Sequence, residues 1–166
     1  LAAMLEDIPA IVEASGAAPS RIVFFGRSLG SVYAAHAAYL YPEAAGLVLE
    51  SGIAVPLEWL LSKVEPRHLD CSLDELRRET GRRLNQRKKL ARFRGKTLVM
   101  HTRKDELLEY TQGALLHSWA PEPKELVIFG RGYHNNIMEV NREQYFKHLE
   151  KLRDLCLHEG PGPILR

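Results

Sequence analysis

Cysteine is scarce in this sequence. Of 166 residues only Cys71 and Cys156 are cysteines, and they stand far apart. That excludes a disulfide framework and any paired-cysteine metal spacing, and both thiols read as unpaired. No apolar run approaches the roughly 20 residues that a membrane-spanning helix needs, so no transmembrane segment is expected. An excess of one charge is also missing. Against 21 acidic residues stand 23 Lys and Arg, a net charge of +2. That is too little to argue for nucleic acid on its own, and no nucleic-acid partner is expected. There is no internal repeat and no low-complexity segment. No signal-peptide pattern opens the chain. Leu1 leads straight into a helical pattern, as expected for part of a longer polypeptide. The compartment stays open, with the cytoplasm as the working expectation, and the oligomeric state is not legible.

What is present is an alternation of strand-like and helix-like segments, in a chain long enough for one domain with a sizeable core. Leu1, Met4, Leu5, Ile8, Ile11 and Val12 recur at helical spacing, with a break expected near Pro9. Residues 21–25 are apolar throughout, the pattern of a strand whose two faces are both covered by helices. A small-residue helix follows to about Tyr41, before Pro42. Further strands are expected at 46–50, 96–101 and 124–129, and further helices at 111–118 and 136–156. In the last helix Tyr145, Leu149, Leu152 and Cys156 share a face. Gly160-Pro161-Gly162-Pro163 reads as a stiff, exposed tail. This order implies an α/β fold, a parallel sheet with flanking helices.

Residues 53–95 interrupt the alternation. Val55, Leu57, Trp59, Leu60, Leu61 and Val64 make an apolar patch. Trp59 either lines a pocket for an acyl group or packs this insert on the sheet. Ser72 and Glu75 have the spacing of a capping box, which predicts a helix to about Leu90, weakened at Gly81. That helix carries Arg77, Arg78, Arg82, Arg83, Arg87, Lys88 and Lys89. Because Asp74, Glu75 and Glu79 are interleaved, it reads as a solvated face. The alternative is an anionic partner, a phosphate-bearing substrate or a membrane surface.

The stretch that carries chemistry runs from Arg21 to Ala35. Strand, sharp turn and helix meet at Gly26-Arg27-Ser28-Leu29-Gly30, the G-x-S-x-G spacing of a nucleophile elbow. Such a turn strains the serine backbone and pushes its Oγ out at the strand's carboxyl end. Gly26 and Gly30, without a Cβ, would let strand and helix approach closely. The following helix would aim its N-terminal N–H groups at Ser28, with the Leu29 N–H as one oxyanion donor.

A serine hydroxyl needs a base, and the base needs an acid to orient it. Sites in open α/β sheets lie at the carboxyl ends of strands. Just past the strand at 96–101 comes Asp105, and just past the strand at 124–129 comes His134. The order Ser28, Asp105, His134 is the one the elbow motif requires. A histidine titrates near neutrality and can take and return the serine proton. Glu50, at the end of the second strand, is the alternative acid. Glu106 reads as solvated, His101 as a packing or turn residue, His36 as facing core or solvent. Asn135 and Asn136 read as the start of the last helix. No metal and no cofactor is expected.

These motifs together resemble the α/β-hydrolase superfamily. Gly26-Arg27-Ser28-Leu29-Gly30 looks like its elbow, His101-Thr102-Arg103-Lys104-Asp105-Glu106 like its acid loop, and Gly132-Tyr133-His134-Asn135-Asn136 like its histidine loop. Within it, the chain is similar to the small serine hydrolases that include the domain-containing-17 type depalmitoylases and the Bem46-like proteins. Thr102 stands where the family has glycine, and Tyr133 is an extra residue before His134. The resemblance implies a serine hydrolase, carboxylesterase- or thioesterase-like, acting on a lipid-like or small acyl ester or thioester through an acyl-enzyme. It makes 53–95 a cap-like insert in a single domain. It also implies that the family's first strands and its second oxyanion donor lie outside this chain. The strand at 21–25 would then present a bare apolar edge, and the segment alone would be weakly active. The alternative role is a catalytically impaired hydrolase fold acting as a binding or scaffold module.

Overall fold

The computed structural model describes residues 2–158; Leu1 and the tail at 160–163 lie outside the described residues. Strands β1 (Val23–Arg27), β2 (Gly46–Glu50), β3 (Lys96–Thr102) and β4 (Lys124–Phe129) form one sheet in the order β1-β2-β3-β4. All neighbours are parallel. The connections between strands contain helices, and such crossovers, unlike two-residue hairpins, return the chain to the same end of the sheet. All four carboxyl ends therefore lie along one rim.

Helices α1 (Ala2–Glu6) and α2 (Ile8–Ala14) realise the first helical pattern in two pieces. Pro9 falls in the first turn of α2, where its missing N–H costs nothing. After β1 comes α3 (Gly30–Leu40). The insert holds α4 (Pro56–Leu61), α5 (Leu73–Arg83) and α6 (Gln86–Leu90). Then follow α7 (Thr111–Trp119), α8 (Ile137–Val140) and α9 (Arg142–His158).

The two central strands are buried at every position. Alternation along them assigns the faces. Leu47, Leu49 and Val99 pack with Ala34, Ala35 and Ala38 of α3 and Leu116 of α7. Val48, Leu98 and Met100 pack with Tyr145 and Leu152 of α9. A third cluster joins Leu5, Ile8 and Val12 to Val32 and Ala37 of α3 and to Leu84 of the insert.

β1 departs from the expectation that both its faces are covered. Phe24 packs toward α3, but Val23 and Phe25 on the opposite face are 41% and 49% exposed. The reason is position: β1 pairs with β2 on one side, and among the described residues no strand flanks its other edge.

Two helix boundaries also differ from expectation. The capping box is present, with Glu75 N–H donating to Ser72 Oγ at 3.2 Å and Ser72 N–H to Glu75 Oε2 at 2.9 Å. The helix runs unbroken through Gly81 and stops at Leu84 instead. There Asn85 Oδ1 accepts from Lys88 N–H at 2.9 Å and starts α6. A glycine inside a helix costs only about 1 kcal/mol, whereas an asparagine offers the backbone a competing partner. The last helix is likewise divided, at Asn141, whose Nδ2 donates to the carbonyls of Ile137 (2.8 Å) and Arg131 (2.9 Å).

Candidate active site

Ser28 follows β1 directly and has φ +51°, a left-handed conformation that a non-glycine residue adopts at a cost of about 1–2 kcal/mol. The surrounding bonds hold it there. Ser28 N–H donates to Glu50 O at 2.9 Å. Ser28 O accepts from Ser31 Oγ at 2.6 Å and Ser31 N–H at 3.0 Å, and Ser31 Oγ in turn accepts from Ile53 N–H at 2.9 Å. The turn is thus fastened to the end of β2 and to the chain beyond it.

Gly26 is required by contact. A Cβ there would lie 2.5 Å from Gly30 O and 2.6 Å from Ala34 Cβ. Gly30 differs from expectation, since a Cβ there meets nothing within 4 Å. Close approach rests on one glycine, because the elbow helix turns its Gly30 carbonyl, not its Gly30 Cα–H, toward the strand. Gly26→Ala should therefore destabilise the fold by about 2 kcal/mol or more, since backbone and a Cβ are the obstacles. Gly30→Ala should cost well under half of that, read from urea midpoints.

The candidate acid and the candidate base meet directly. His134 Nδ1 lies 2.8 Å from Asp105 Oδ2 and 3.0 Å from Oδ1, and both side chains are buried. Asp105 Oδ1 also accepts the N–H groups of Leu107 (3.0 Å) and Leu108 (2.9 Å). His101 Nε2 lies 3.2 Å from Asp105 Oδ2 and 3.0 Å from Leu108 O. Burial by itself would raise the Asp105 carboxyl; the bonds from His101, Leu108, His134 and Leu107 outweigh it and hold the group well below the usual carboxylate range. An ionised carboxylate on Nδ1 leaves Nε2 as the imidazole's reactive nitrogen.

The elbow is tied to the histidine loop through its second residue. Arg27 Nη2 donates to His134 O at 2.8 Å and to Asn135 Oδ1 at 3.0 Å. Arg27 Nε pairs with Glu50 Oε1 at 3.0 Å, and Tyr145 O–H donates to Glu50 Oε2. Glu50 is therefore an anchor for Arg27 and α9, not the partner of His134. Among the described residues Ser28 Oγ makes no hydrogen bond, to His134 or otherwise; such contacts commonly tighten only when substrate is bound. None of the described residues accepts the Leu29 N–H either, which leaves that donor available.

Several neighbours do more than the sequence suggested. Glu106 is exposed, yet its Oε2 accepts the His134 N–H at 3.1 Å. Thr102, in the place of a family glycine, donates through Oγ1 to Gly132 O at 2.8 Å and so joins the acid loop to the histidine loop. Asn136 Oδ1 accepts the Tyr133 N–H at 2.6 Å, closing the turn that presents His134. His101 is completely buried and braces Asp105. The only signal for it was its position three residues before Lys104-Asp105.

Trp59 lies with Leu29, Val32, Pro56, Leu60 and Leu84 around a space of only about 10 Å³. It packs the insert against α3. Room for a ligand lies next to it, in an apolar groove of about 290 Å³ that shares Leu60 and Leu84 and continues to Leu5 and Leu76.

Solved structures with the same arrangement decide the fold. An alpha/beta hydrolase enzyme from a sediment metagenome of the Mar Chica lagoon, Morocco, superposes with a TM-score of 0.64 at 20% identity, covering 90% of this chain and 69% of that one. The acylaminoacyl peptidase of Pyrococcus horikoshii gives a TM-score of 0.70 at 16% identity, covering 95% of this chain and 27% of that one. This chain has the α/β-hydrolase fold. The resemblance drawn from its three motifs is borne out by sequence as well. It is 27% identical over 153 residues to the mouse and human proteins named alpha/beta hydrolase domain-containing protein 17C, covering 89% of this chain and 41% and 40% of theirs. The chain thus spans about two fifths of the length of the curated relatives it matches. No protein-family model matches it.

Proposed function

We propose that this α/β-hydrolase chain carries the nucleophile, base and acid of a serine hydrolase that cleaves an ester or thioester. The observation that carries the reading is the Arg27 guanidinium. It joins the residue beside Ser28 to the backbone of His134, while Asp105 holds that imidazole by Nδ1. Ser28 Oγ attacks the acyl carbon, and its proton passes to His134 Nε2. The carbonyl oxygen becomes an oxyanion facing the Leu29 N–H at the start of α3. His134 then gives the proton to the leaving alcohol or thiol, and the acyl group remains on Ser28. A water, deprotonated by His134, releases the acid and restores the hydroxyl. The groove along Leu60, Leu84, Leu5 and Leu76 favours a lipid-like acyl chain, since its lining is mainly aliphatic.

A fluorophosphonate probe tests this, because it reacts with an activated serine. Wild type should label, and Ser28→Ala and His134→Ala should both lose the label. Equal labelling of wild type and Ser28→Ala would remove the proposal.

A further inference from the structure

Two turns along α3 from the elbow, a cavity of about 380 Å³ opens between α1–α2, the far half of α3 and the α5–α6 corner, adjoining the aliphatic groove at Leu5 and Arg83. Four basic residues line it, Arg82, Arg83, Lys88 and Lys89, against the single carboxylate of Glu6. His36 of α3 faces them. The basic helix is therefore not uniformly a solvated face: Arg77, Arg78 and Arg87 are exposed, but Lys89 is only 5% exposed.

Two polar groups of the residues lining this cavity lack partners among the described residues. Lys89 Nζ is buried without a hydrogen bond, and so is His36 Nδ1. The nearby carboxylates pair with the arginines of the rim and not with Lys89. Glu79 Oε2 binds Arg82 at 2.8 Å and Arg83 at 3.1 Å, and Glu6 lies 3.8 Å from Arg83. A buried, unpaired ammonium is costly to keep, and folded proteins ordinarily pair such groups. We infer that this cavity binds a phosphate-bearing anion, with Lys89 and His36 at its base and Arg82 and Lys88 at its rim.

The chemistry of the lining selects that class. Lysine offers three donors and no acceptor, and arginine likewise only donates. A tetrahedral dianion presents several acceptor oxygens to such a set, where a carboxylate presents two. Burial draws Lys89 down to about 8, so its ammonium keeps its proton at neutral pH. Burial first, and the charge of Lys89 second, push His36 down to about 4, leaving a neutral ring with one N–H. The volume exceeds one phosphate ion, and Leu5, Pro9 and Leu40 supply an apolar wall for an organic substituent. The phosphate could belong to a soluble monoester or to a lipid headgroup.

Calorimetric titration of the full chain with inorganic phosphate and with glycerol phosphate tests the site. Both should bind wild type and Ser28→Ala alike, which separates this site from the hydrolase reading. Lys89→Met, which keeps the buried stem, should weaken binding by about tenfold or more, the effect of one charge-assisted bond. Arg82→Gln, at the exposed rim, should weaken it about threefold without disturbing the fold. Co-sedimentation with phosphatidylcholine vesicles, with and without phosphatidic acid, separates the sources. Lys89-dependent sedimentation only with phosphatidic acid assigns a headgroup, and binding of the soluble ions alone assigns a soluble ligand. No binding in either arm, or binding that Lys89→Met and Arg82→Gln leave unchanged, would overturn the inference.

Discussion

Asp105→Asn should lower kcat for a p-nitrophenyl ester by about 10⁴, with the fold retained by circular dichroism. The carboxylate occupies a position where every neighbour donates. Leu107 and Leu108 present N–H groups to Oδ1, and His134 Nδ1 lies 2.8 Å from Oδ2. An asparagine can keep its carbonyl on the two amides, but its NH₂ then faces the imidazole. His134 must respond by placing its proton on Nε2, where it can no longer accept from Ser28. A loss below tenfold would show that Asp105 is not the orienting acid. The same carboxylate makes stability depend on acid. Its folded value lies well below the usual range because the four bonds overcome burial. The stabilisation is therefore present above the unfolded value of about 4 and is lost as pH falls toward the folded one. Asp105→Asn should lack that acid-side loss, read from urea midpoints at pH 7 and pH 3.

Lys89→Met should stabilise the protein in phosphate-free buffer at pH 7. Burial lowers this lysine from 10.5 to about 8, a difference worth roughly 3 kcal/mol. For a chain of this size that corresponds to a rise in Tm of about 6–12 °C. The sign follows from proton binding. Between pH 8 and 10.5 the unfolded chain holds more protons than the folded one, so wild-type stability rises with pH across that window. Below pH 8 both forms are charged and the penalty is constant. The Met variant should show no such rise, and the two proteins should converge near pH 10.5. The titratable groups lining the cavity with Lys89 are Arg82, Arg83, Lys88 and Glu6, which are charged, and His36, which is neutral. Only Glu6 opposes its charge, so none of the others relieves the penalty. A Met variant no more stable than wild type at pH 7 would mean that the ammonium reaches solvent.

Sequence reading succeeded where a signal is local. β2 and β4 run over 46–50 and 124–129, as their apolar runs bounded by turn residues require. The Ser72–Glu75 box forms because its two partners are three residues apart. Asp105 and His134 meet because each follows a parallel strand of the same sheet, and the order of strands already places both loops on one rim. Reading failed where the outcome depends on which side chains cross a gap. Glu106 is exposed, as expected, but its carboxylate also accepts the His134 N–H, a contact between loops 28 residues apart that spacing does not signal. Lys89, expected on a solvated face, is buried because α6 begins anew at Asn85 and turns that side toward α3.

By itself, then, the sequence determined the α/β alternation, the elbow at Ser28 and the chain order of the three candidate catalytic residues. These depend on spacing along the backbone, which neighbouring residues dictate. Only the tertiary structure decided that Arg27 spans Glu50 and His134, that His101 and Thr102 brace the two loops, and that a buried lysine with no partner among the described residues lines a cationic cavity. Those depend on contacts between residues tens of positions apart, set when the sheet and its covering helices pack.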